Sequence, residues 1–297
     1  MSRDVALQTL IEAVTIGSLY GLVGVSFNVI ARPTGVLNFA QGDIVLLGGA
    51  LAYVGLSLLS LPWLVALLLV ATAGMAFGLL EERIAIWPVL RRASTAHGWV
   101  LTTLAVSILV QNVVGLGLGD EPLRVPAPSA LSADTRELVG SVRLAPYQVG
   151  VWLACWGLAG LLYLFYRTKH GRAIRALAED RDAALLRGVD ATRLVMASFA
   201  LGAGLAALAG MIAAPITFAT PTMSNLFLFK GFEAAAIGGL GDNRGAMLGG
   251  LVIGVAEAFA GQVFDTGYRD LATFAVFLLI LFVRPVGLFG KATLRQV

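Results

Sequence analysis

Long uncharged stretches alternate with short polar segments along the whole chain. A helix needs about 20 apolar residues to cross the ~30 Å hydrocarbon core of a bilayer, and each of these stretches is about that long or longer. The pattern therefore predicts an all-α, polytopic bundle embedded in a membrane. The uncharged stretches cover 13–31, 44–80, 98–119, 144–166 and 194–229.

The boundaries of the predicted spans follow from turn residues and charges. The stretch 44–80 is too long for one crossing, and Ser57 to Pro62 provides a turn near its middle. Arg32-Pro33-Thr34-Gly35 is expected to break the first helix, and 216–229 is expected to be an external or partly re-entrant connection that leads into a half-helix at 230–241. This makes eight to nine segments, some broken or re-entrant, and leaves the side of the N-terminus open. The predicted spans are 5–31, 43–60, 63–82, 98–119, 144–166, 194–214, 245–264 and 269–284.

Composition agrees with a membrane protein and excludes several kinds of site. The chain is 58% hydrophobic and only 13% charged, whereas soluble domains are about 25% charged. The net charge is +3 and the positive residues follow loops, which argues for orientation in a membrane and against nucleic-acid binding. The single Cys155 and the lack of a His, Asp and Glu cluster with ligand spacing argue against a disulfide framework or a metal site.

The segment 167–193 is the most polar part of the chain and holds seven of its 21 Lys and Arg. Such a segment lies in water, and its basic excess places it in the cytoplasm. Ala173, Leu177, Ala184 and Leu185 recur at helical spacing, which indicates one stripe of a short amphipathic helix. It is either a charged loop that sets orientation or a docking helix that presses this stripe into a soluble partner.

Other loops complete the predicted topology. A basic loop at 84–97, with Trp87-Pro88, and the C-terminus with Arg284, Lys291 and Arg295 are expected inside, and the loop 120–143 is expected outside. This external loop divides a single domain, 1–297, into halves of about 1–119 and 144–297. Each half holds a broken polar segment, near 36–43 and near 230–245, which is a pointer to a translocation path.

Ionisable side chains at membrane depth are candidate functional groups, and Asp43, Glu233 and Glu257 qualify. Each also has a structural explanation: Asp43 as a helix cap, Glu233 paired with Lys230, and Glu257 bonded to a neighbouring helix. Three isolated acids make a poor proton relay, which argues mildly against a secondary transporter. We find no P-loop motif, no serine-hydrolase elbow and no zinc-protease motif, so a membrane-embedded enzyme lacks a catalytic set.

Six stretches in order, nearly end to end, resemble the permease subunits of branched-chain amino-acid ABC importers of the LivH type. They are Gly17-Ser-Leu-Tyr-Gly-Leu22; Leu37-Asn-Phe-Ala-Gln-Gly-Asp43; Glu82-Arg83 with Pro88-Val-Leu-Arg91; Gly171 to Asp180 with Ala183 and Leu186-Arg-Gly188; Gly238-Gly-Leu-Gly241 with Gly245 to Gly250 and Ala256-Glu257-Ala258; and Arg284-Pro-Val-Gly-Leu-Phe-Gly290.

The resemblance implies a multi-pass permease of the bacterial inner membrane whose 167–193 loop is the coupling helix for an ATPase subunit. It implies a second, related permease, two cytoplasmic ATPases and a periplasmic binding protein as partners, besides membrane lipid. ATP and Mg would be bound by those ATPases, with no cofactor in this chain. The residues that would carry ATPase coupling are Arg172, Glu179, Asp180, Arg181, Ala183, Leu186 and Gly188.

The expected pathway or gate residues are Asn38, Phe39, Gln41, Asp43 and Glu233. Two of them depart from the family's pattern, which has His where this chain has Gln41 and Glu where it has Asp43. The substrate is thus open among branched-chain and other neutral amino acids, urea, short amides and aromatic carboxylates. The alternative function is a stand-alone secondary transporter or channel for a small polar solute.

Overall fold

The computed structural model describes residues 3–91, 98–119, 121–129, 131, 136–139, 142–264 and 266–290. Helices dominate these residues, as the sequence predicts, and the polar loop at 120–143 leads into a small antiparallel hairpin of two strands. The elements are α1 (Arg3–Thr34), α2 (Gln41–Tyr53), α3 (Trp63–Glu81), α4 (Trp87–Arg91), α5 (Gly98–Leu118), β1 (Arg136–Val139), β2 (Val142–Leu144), α6 (Pro146–Phe165), α7 (Lys169–Glu179), α8 (Arg181–Leu186), α9 (Ala191–Thr217), α10 (Pro221–Gly238), α11 (Asn243–Val263) and α12 (Arg269–Val283).

Seven helical segments among the described residues are long and apolar enough to cross a membrane: the segments that contain α1, α2, α3, α5, α6, α9 and α11. Two more helices, α10 and α12, are not among these seven. With a rise of about 1.5 Å per residue, the 18 residues of α10 extend for about 27 Å. The chain is an all-α, multi-pass membrane bundle.

Hydrogen bonds show which helix ends lie together. The backbone N–H of Arg143, on β2, donates to Gln8 Oε1 near the start of α1 (2.9 Å), and Leu123 pairs with Ala219 at the end of α9. We call this the hairpin end and the opposite end, around α7 and α8, the basic end. The N-terminus of α1 is thus at the hairpin end. The positive-inside rule predicts that the basic end is cytoplasmic, and the orientation in the membrane stays a prediction.

Glycine and alanine let the central helices approach closely. A side chain on Gly48 of α2 would collide with the Ala207 carbonyl of α9, and one on Gly210 of α9 would collide with the Val45 carbonyl of α2. Helices α1 and α9 are the most buried of the candidate spans. Backbones pack tightly in membranes where such small residues meet.

One predicted helix break is confirmed and one predicted loop is wrong. Helix α1 ends at Thr34, within the expected break at 32–35, and Gly35 follows with a φ of +69°, which suits a residue without a Cβ. The predicted loop at 84–97 begins instead as helix, because a π-helical turn at Glu82–Ile86 precedes Pro88 and lets the chain continue to Arg91. A wide turn of this kind relieves the conflict between a proline ring and the preceding helical turn. Residues 92–97 lie outside the described part, as do Lys291 and Arg295 of the predicted inner C-terminus.

The expected connection at 216–229 and half-helix at 230–241 are also wrong. Pro221 occupies the first turn of α10, where its missing N–H is not needed, and Thr220 caps the helix by accepting from the Met223 N–H. From there α10 continues without a break to Gly238. The division of the chain into two halves stays a prediction.

The expected single amphipathic helix at 172–188 is two helices. Asp180 has extended backbone angles between α7 and α8, and its Oδ1 accepts from the Ala183 N–H to cap α8. Leu177 and Ala184 of the predicted stripe are buried against Ile30, Val36 and Phe199 of the same chain. These two residues therefore attach the loop to its own bundle, whereas Leu185 of the same stripe is 47% exposed.

Candidate translocation groove and coupling surface

A half-open groove lies beside α10, with a cavity volume of about 680 Å³. It is bounded by α10, by α12 and by residues 37–39, which precede α2. Its lining is mainly aromatic and aliphatic, with a few polar groups among them, and such a composition suits a small solute that has an apolar part. The lining residues are Phe27, Leu37, Asn38, Phe39, Thr222, Asn225, Leu226, Leu228, Phe229, Lys230, Phe232, Glu233, Asp270, Phe274 and Phe277.

Helix α10 turns one face to this groove and the other to the bundle core. Thr222, Asn225 and Phe229 are exposed and recur every three or four residues. Phe227, on the other face, is fully buried. Residues three and four apart share one side of an α-helix, so α10 forms the wall of the groove along most of its length.

An ion cluster around the buried ammonium group of Lys230 holds α10 against α11 and α12. Lys230 is 3% exposed, and its Nζ lies 2.9 Å from Asp270 Oδ1 and 3.8 Å from Glu257 Oε2. The ammonium group also donates to the Thr273 hydroxyl. A buried ammonium needs such partners because the uncompensated charge is costly. The suggested pair of Lys230 with Glu233 is thus replaced by ion pairs with Asp270 and Glu257.

Glu233 is buried at the edge of the groove and its Oε2 atom has no hydrogen-bond partner among the described residues. It lies one helical turn from Lys230, whose ion pairs are with Glu257 and Asp270. A buried carboxylate oxygen without a donor carries a desolvation cost. A solute that carries an ammonium group would relieve that cost.

Asn38 and Phe39 line the groove and connect it to the interior. Asn38 Nδ2 donates to Glu81 Oε2 (2.9 Å) and to Gln41 Oε1 (3.2 Å). The Phe39 ring stacks on Trp99, with ring centroids 6.3 Å apart and an interplanar angle of 15°. Hydrogen bonds therefore hold Asn38 in the groove wall, and the stacking contact with Trp99 holds Phe39.

Gln41 and Asp43 are fully buried and lie away from the groove lining. Gln41 Nε2 donates to Ser26 Oγ (2.8 Å) and to the Gly202 carbonyl (3.2 Å), which joins α2 to α1 and α9. Asp43 Oδ1 accepts from Gln111 Nε2 of α5 (2.8 Å) and from the Ser224 hydroxyl of α10. The five expected pathway residues thus divide between the groove, which has Asn38, Phe39 and Glu233, and interhelical hydrogen bonds behind it.

The expected coupling residues all lie on the exposed side of the basic end: Arg172, Glu179, Asp180, Arg181, Ala183, Leu186 and Gly188. Leu186, at the end of α8, is 89% exposed in a segment otherwise rich in charge. Gly188 follows with a φ of +78°, where a side chain would be strained. The tip of α8 therefore presents the exposed apolar side chain of Leu186 next to a turn that favours glycine at position 188.

Comparison with known proteins identifies the chain. The family model described as permease component of branched-chain amino acid transport systems matches residues 9–283. The chain belongs to this permease family.

Relatives cover the permease almost completely. The high-affinity branched-chain amino acid transport system permease protein BraD of Pseudomonas aeruginosa is 31% identical over 98% of this chain and 98% of its own length. The corresponding permease protein LivH of Escherichia coli K12 is 30% identical over 98% of this chain and 97% of its own length. The solved structure of PsaBC from Streptococcus pneumoniae in complex with Fab has a TM-score of 0.50 and 15% identity, covers 95% of this chain and 92% of that chain, and supports the fold alone.

Four charged residues of the permease were missed as site candidates by sequence reasoning. Glu81 and Glu82 are buried and were taken only as the end of a span, whereas Glu81 holds the groove residue Asn38. Lys230 and Asp270 line the groove and pair with one another. The isolation of Lys230 after 36 uncharged residues was an available signal. Its partner, 40 positions later, had no such signal.

Proposed function

We propose that this permease moves a branched-chain amino acid, or a closely related neutral amino acid, across the bacterial inner membrane by alternating access. The observation that carries the proposal is the groove beside α10, which combines aromatic walls with the Glu233 carboxylate, whose Oε2 atom has no hydrogen-bond partner among the described residues. An amino acid of this class pairs an ammonium group with an apolar side chain. Both BraD and LivH are named for branched-chain amino acid transport.

The groove is open on one side, and we propose that a second, related permease closes it. Two cytoplasmic ATPases would then dock at the basic end, and a periplasmic binding protein would deliver the solute at the hairpin end. ATP and Mg would be bound by the ATPases, while this chain contributes transport without catalysis. The absence of a P-loop motif in the sequence supports this division of roles.

Docking of the ATPases would use the tip of α8. Leu186 is the most exposed large apolar side chain of α7 and α8. Its contact with an apolar pocket of an ATPase would remove that apolar surface from water. The buried face of the same segment packs on α1 and α9, so movement of the tip would be transmitted to the central helices. This arrangement links ATPase closure to rearrangement of the groove.

The coupling proposal is tested by uptake and ATPase assays in proteoliposomes that contain this chain with its candidate partners. Leu186→Asp and Gly188→Asp are expected to lower ATP-driven uptake at least tenfold, because each alters the α8 tip while the buried stripe stays intact. Arg187→Gln, between them and outside the proposed contact set, is the matched control. Uptake that needs no ATP and tolerates both substitutions would instead favour a stand-alone transporter.

The groove proposal is tested separately with the same assay. Glu233→Gln and Phe229→Ala are expected to lower uptake of leucine and valine at least fivefold, while ATPase assembly is retained. Phe282→Ala removes an equal side chain from α12 at a position that is 92% exposed and outside the groove lining. Equal effects of Phe229→Ala and Phe282→Ala would contradict a role for the groove.

A further inference from the structure

A second cleft lies between α6 and α11 at the basic end, with a volume of about 660 Å³. Both helices pack against α1, and the cleft opens to the surface between them. It does not overlap the groove beside α10, and no residue of the proposed coupling set lines it. The lining residues are Arg32, Trp156, Ala159, Gly160, Tyr163, Tyr166, Arg175, Asp242, Asn243, Arg244, Met247 and Leu248.

Three arginines converge on this cleft from three different segments: Arg32 from α1, Arg175 from α7 and Arg244 from α11. Ion pairs within the described part of the chain involve only Arg193 and Lys230 as cations. The three guanidinium groups therefore have no carboxylate partner there. Asp242 also lines the cleft, and its Oδ1 accepts from the Arg244 and Gly245 N–H groups to cap α11. One carboxylate against three arginines leaves the cleft positively charged.

The arginines are held in place by aromatic residues and backbone groups. Arg244 lies over the Tyr163 ring at 4.6 Å, and Arg167, just outside the cleft, donates to the Tyr163 hydroxyl (2.8 Å). Arg175 donates to the Tyr166 carbonyl (2.7 Å). A guanidinium group held in this way keeps further N–H donors for an anion and forms bidentate bonds with phosphate oxygens.

The other end of the cleft is apolar and lies deeper along the spans. Ala159 and Gly160 leave a shallow channel on α6, and a Cβ at Gly160 would meet no atom within 4 Å. Trp156, Met247 and Leu248 line the channel. The cleft thus changes from basic to apolar along the direction in which a phospholipid changes from headgroup to acyl chain.

We propose that this cleft binds an anionic phospholipid of the cytoplasmic leaflet, with its phosphate at Arg32, Arg175 and Arg244 and an acyl chain along α6. Basic pockets between transmembrane helices on the cytoplasmic side are suited to such headgroups. The bound lipid bridges α1, α6, α7 and α11, and so connects the first membrane helix with the segment that leads into α7 and α8. It fills a site of its own and does not depend on the identity of the transported solute.

Native mass spectrometry of the full chain, released from nanodiscs of phosphatidylcholine with one-fifth phosphatidylglycerol, tests the proposal. Wild type is expected to retain phosphatidylglycerol in preference to phosphatidylcholine. The Arg175→Gln/Arg244→Gln variant is expected to retain it about 25-fold less well, about fivefold for each arginine. Arg187→Gln/Arg193→Gln removes the same charge from exposed positions of the basic end and is expected to behave as wild type.

Three results would overturn the proposal. One is equal retention of phosphatidylglycerol by wild type and the cleft variant. Another is displacement of the lipid by millimolar inorganic phosphate, which would make the cleft a site for the free anion. The last is loss of ATPase assembly in the cleft variant without loss of lipid, which would make it a subunit contact. If the double variant does not fold, Arg244→Gln alone, measured by quenching of tryptophan fluorescence with brominated phosphatidylglycerol, gives the same comparison.

Discussion

Helices α3 and α9 are both uncharged over most of their length, yet α9 is buried inside the permease whereas α3 lies at its surface. In the most apolar window of α9, 83% of residues are buried, whereas in that of the segment 63–90, which contains α3, only 22% are. Helix α9 is rich in alanine and glycine, and α3 is rich in leucine. The α3 leucines, including Leu64 and Leu68, are largely exposed to the surroundings of the bundle.

This difference shows that hydrophobicity alone does not determine burial in a membrane. Lipid tails are as apolar as leucine, so a large apolar side chain gains little by leaving lipid for the protein. Small residues instead allow backbones to approach and make dispersion contacts along their whole length. The positions of Gly48 and Gly210 between α2 and α9 are the clearest case.

The largest expected effect comes from filling this contact. Gly210→Leu is expected to destabilise the folded chain by more than about 3 kcal/mol, because the new side chain would meet the Val45 backbone, which cannot shift without moving α2. Gly157→Leu on α6 is the control, since a Cβ there meets no atom within 4 Å. Thermal unfolding in detergent, monitored by size-exclusion chromatography, measures both. Similar melting temperatures for the two variants would refute the close-packing explanation.

A smaller effect is expected from truncating leucines on the two kinds of surface. Leu22→Ala removes a fully buried side chain of α1 and leaves a cavity, so a loss of about 2–4 kcal/mol is expected. Leu68→Ala removes a side chain that is 57% exposed on α3, and lipid fills the space, so a change under about 0.5 kcal/mol is expected. Reversible unfolding in mixed micelles measures the free energies. A loss at Leu68 as large as at Leu22 would mean that α3 is covered by another subunit.

The smallest effect is expected from two neighbouring amides on α5. Gln111→Leu removes the donor to Asp43 and leaves that buried carboxylate with Ser224 alone, so a loss of about 1–2 kcal/mol is expected. Among the described residues, Asn112 Nδ2 donates only to the Ile108 carbonyl of its own helix (2.7 Å), so Asn112→Leu is expected to be neutral or stabilising. The same unfolding assay measures both variants. If Asn112→Leu costs as much as Gln111→Leu, the hydrogen bond to Asp43 is not the source of the difference.

The membrane spans were predicted well because charge is expensive in hydrocarbon. Every predicted span overlaps a helix of the structure, and the charged residues at 81–83, 167 and 193 mark where helices approach the basic end. The loop at 84–97 was predicted less well. Pro88 is followed by further helix, since a helix beside a π-helical turn tolerates the missing N–H.

The site was only partly predictable. Phe39 and Glu233 line one groove although 194 positions separate them, and no local pattern reports that proximity. Asn38 and Gln41 are three positions apart, and one faces the groove while the other bonds to α1 and α9. A hydrophobicity pattern is the same for either orientation of a buried helix, so it does not reveal which face of α10 borders the cavity.

The amino-acid sequence by itself determined that this protein is a multi-pass helical bundle with a basic end, and it carried the family resemblance that comparison confirmed. These properties depend on local hydrophobicity, charge and short motifs. Only the tertiary structure decided that Leu177 and Ala184 face inward, that α10 is one unbroken helix from Pro221 to Gly238, and that Lys230 pairs with Asp270. Those outcomes depend on which distant residues pair with a buried charge or pack against an apolar face. Such residues come together only when the helices pack.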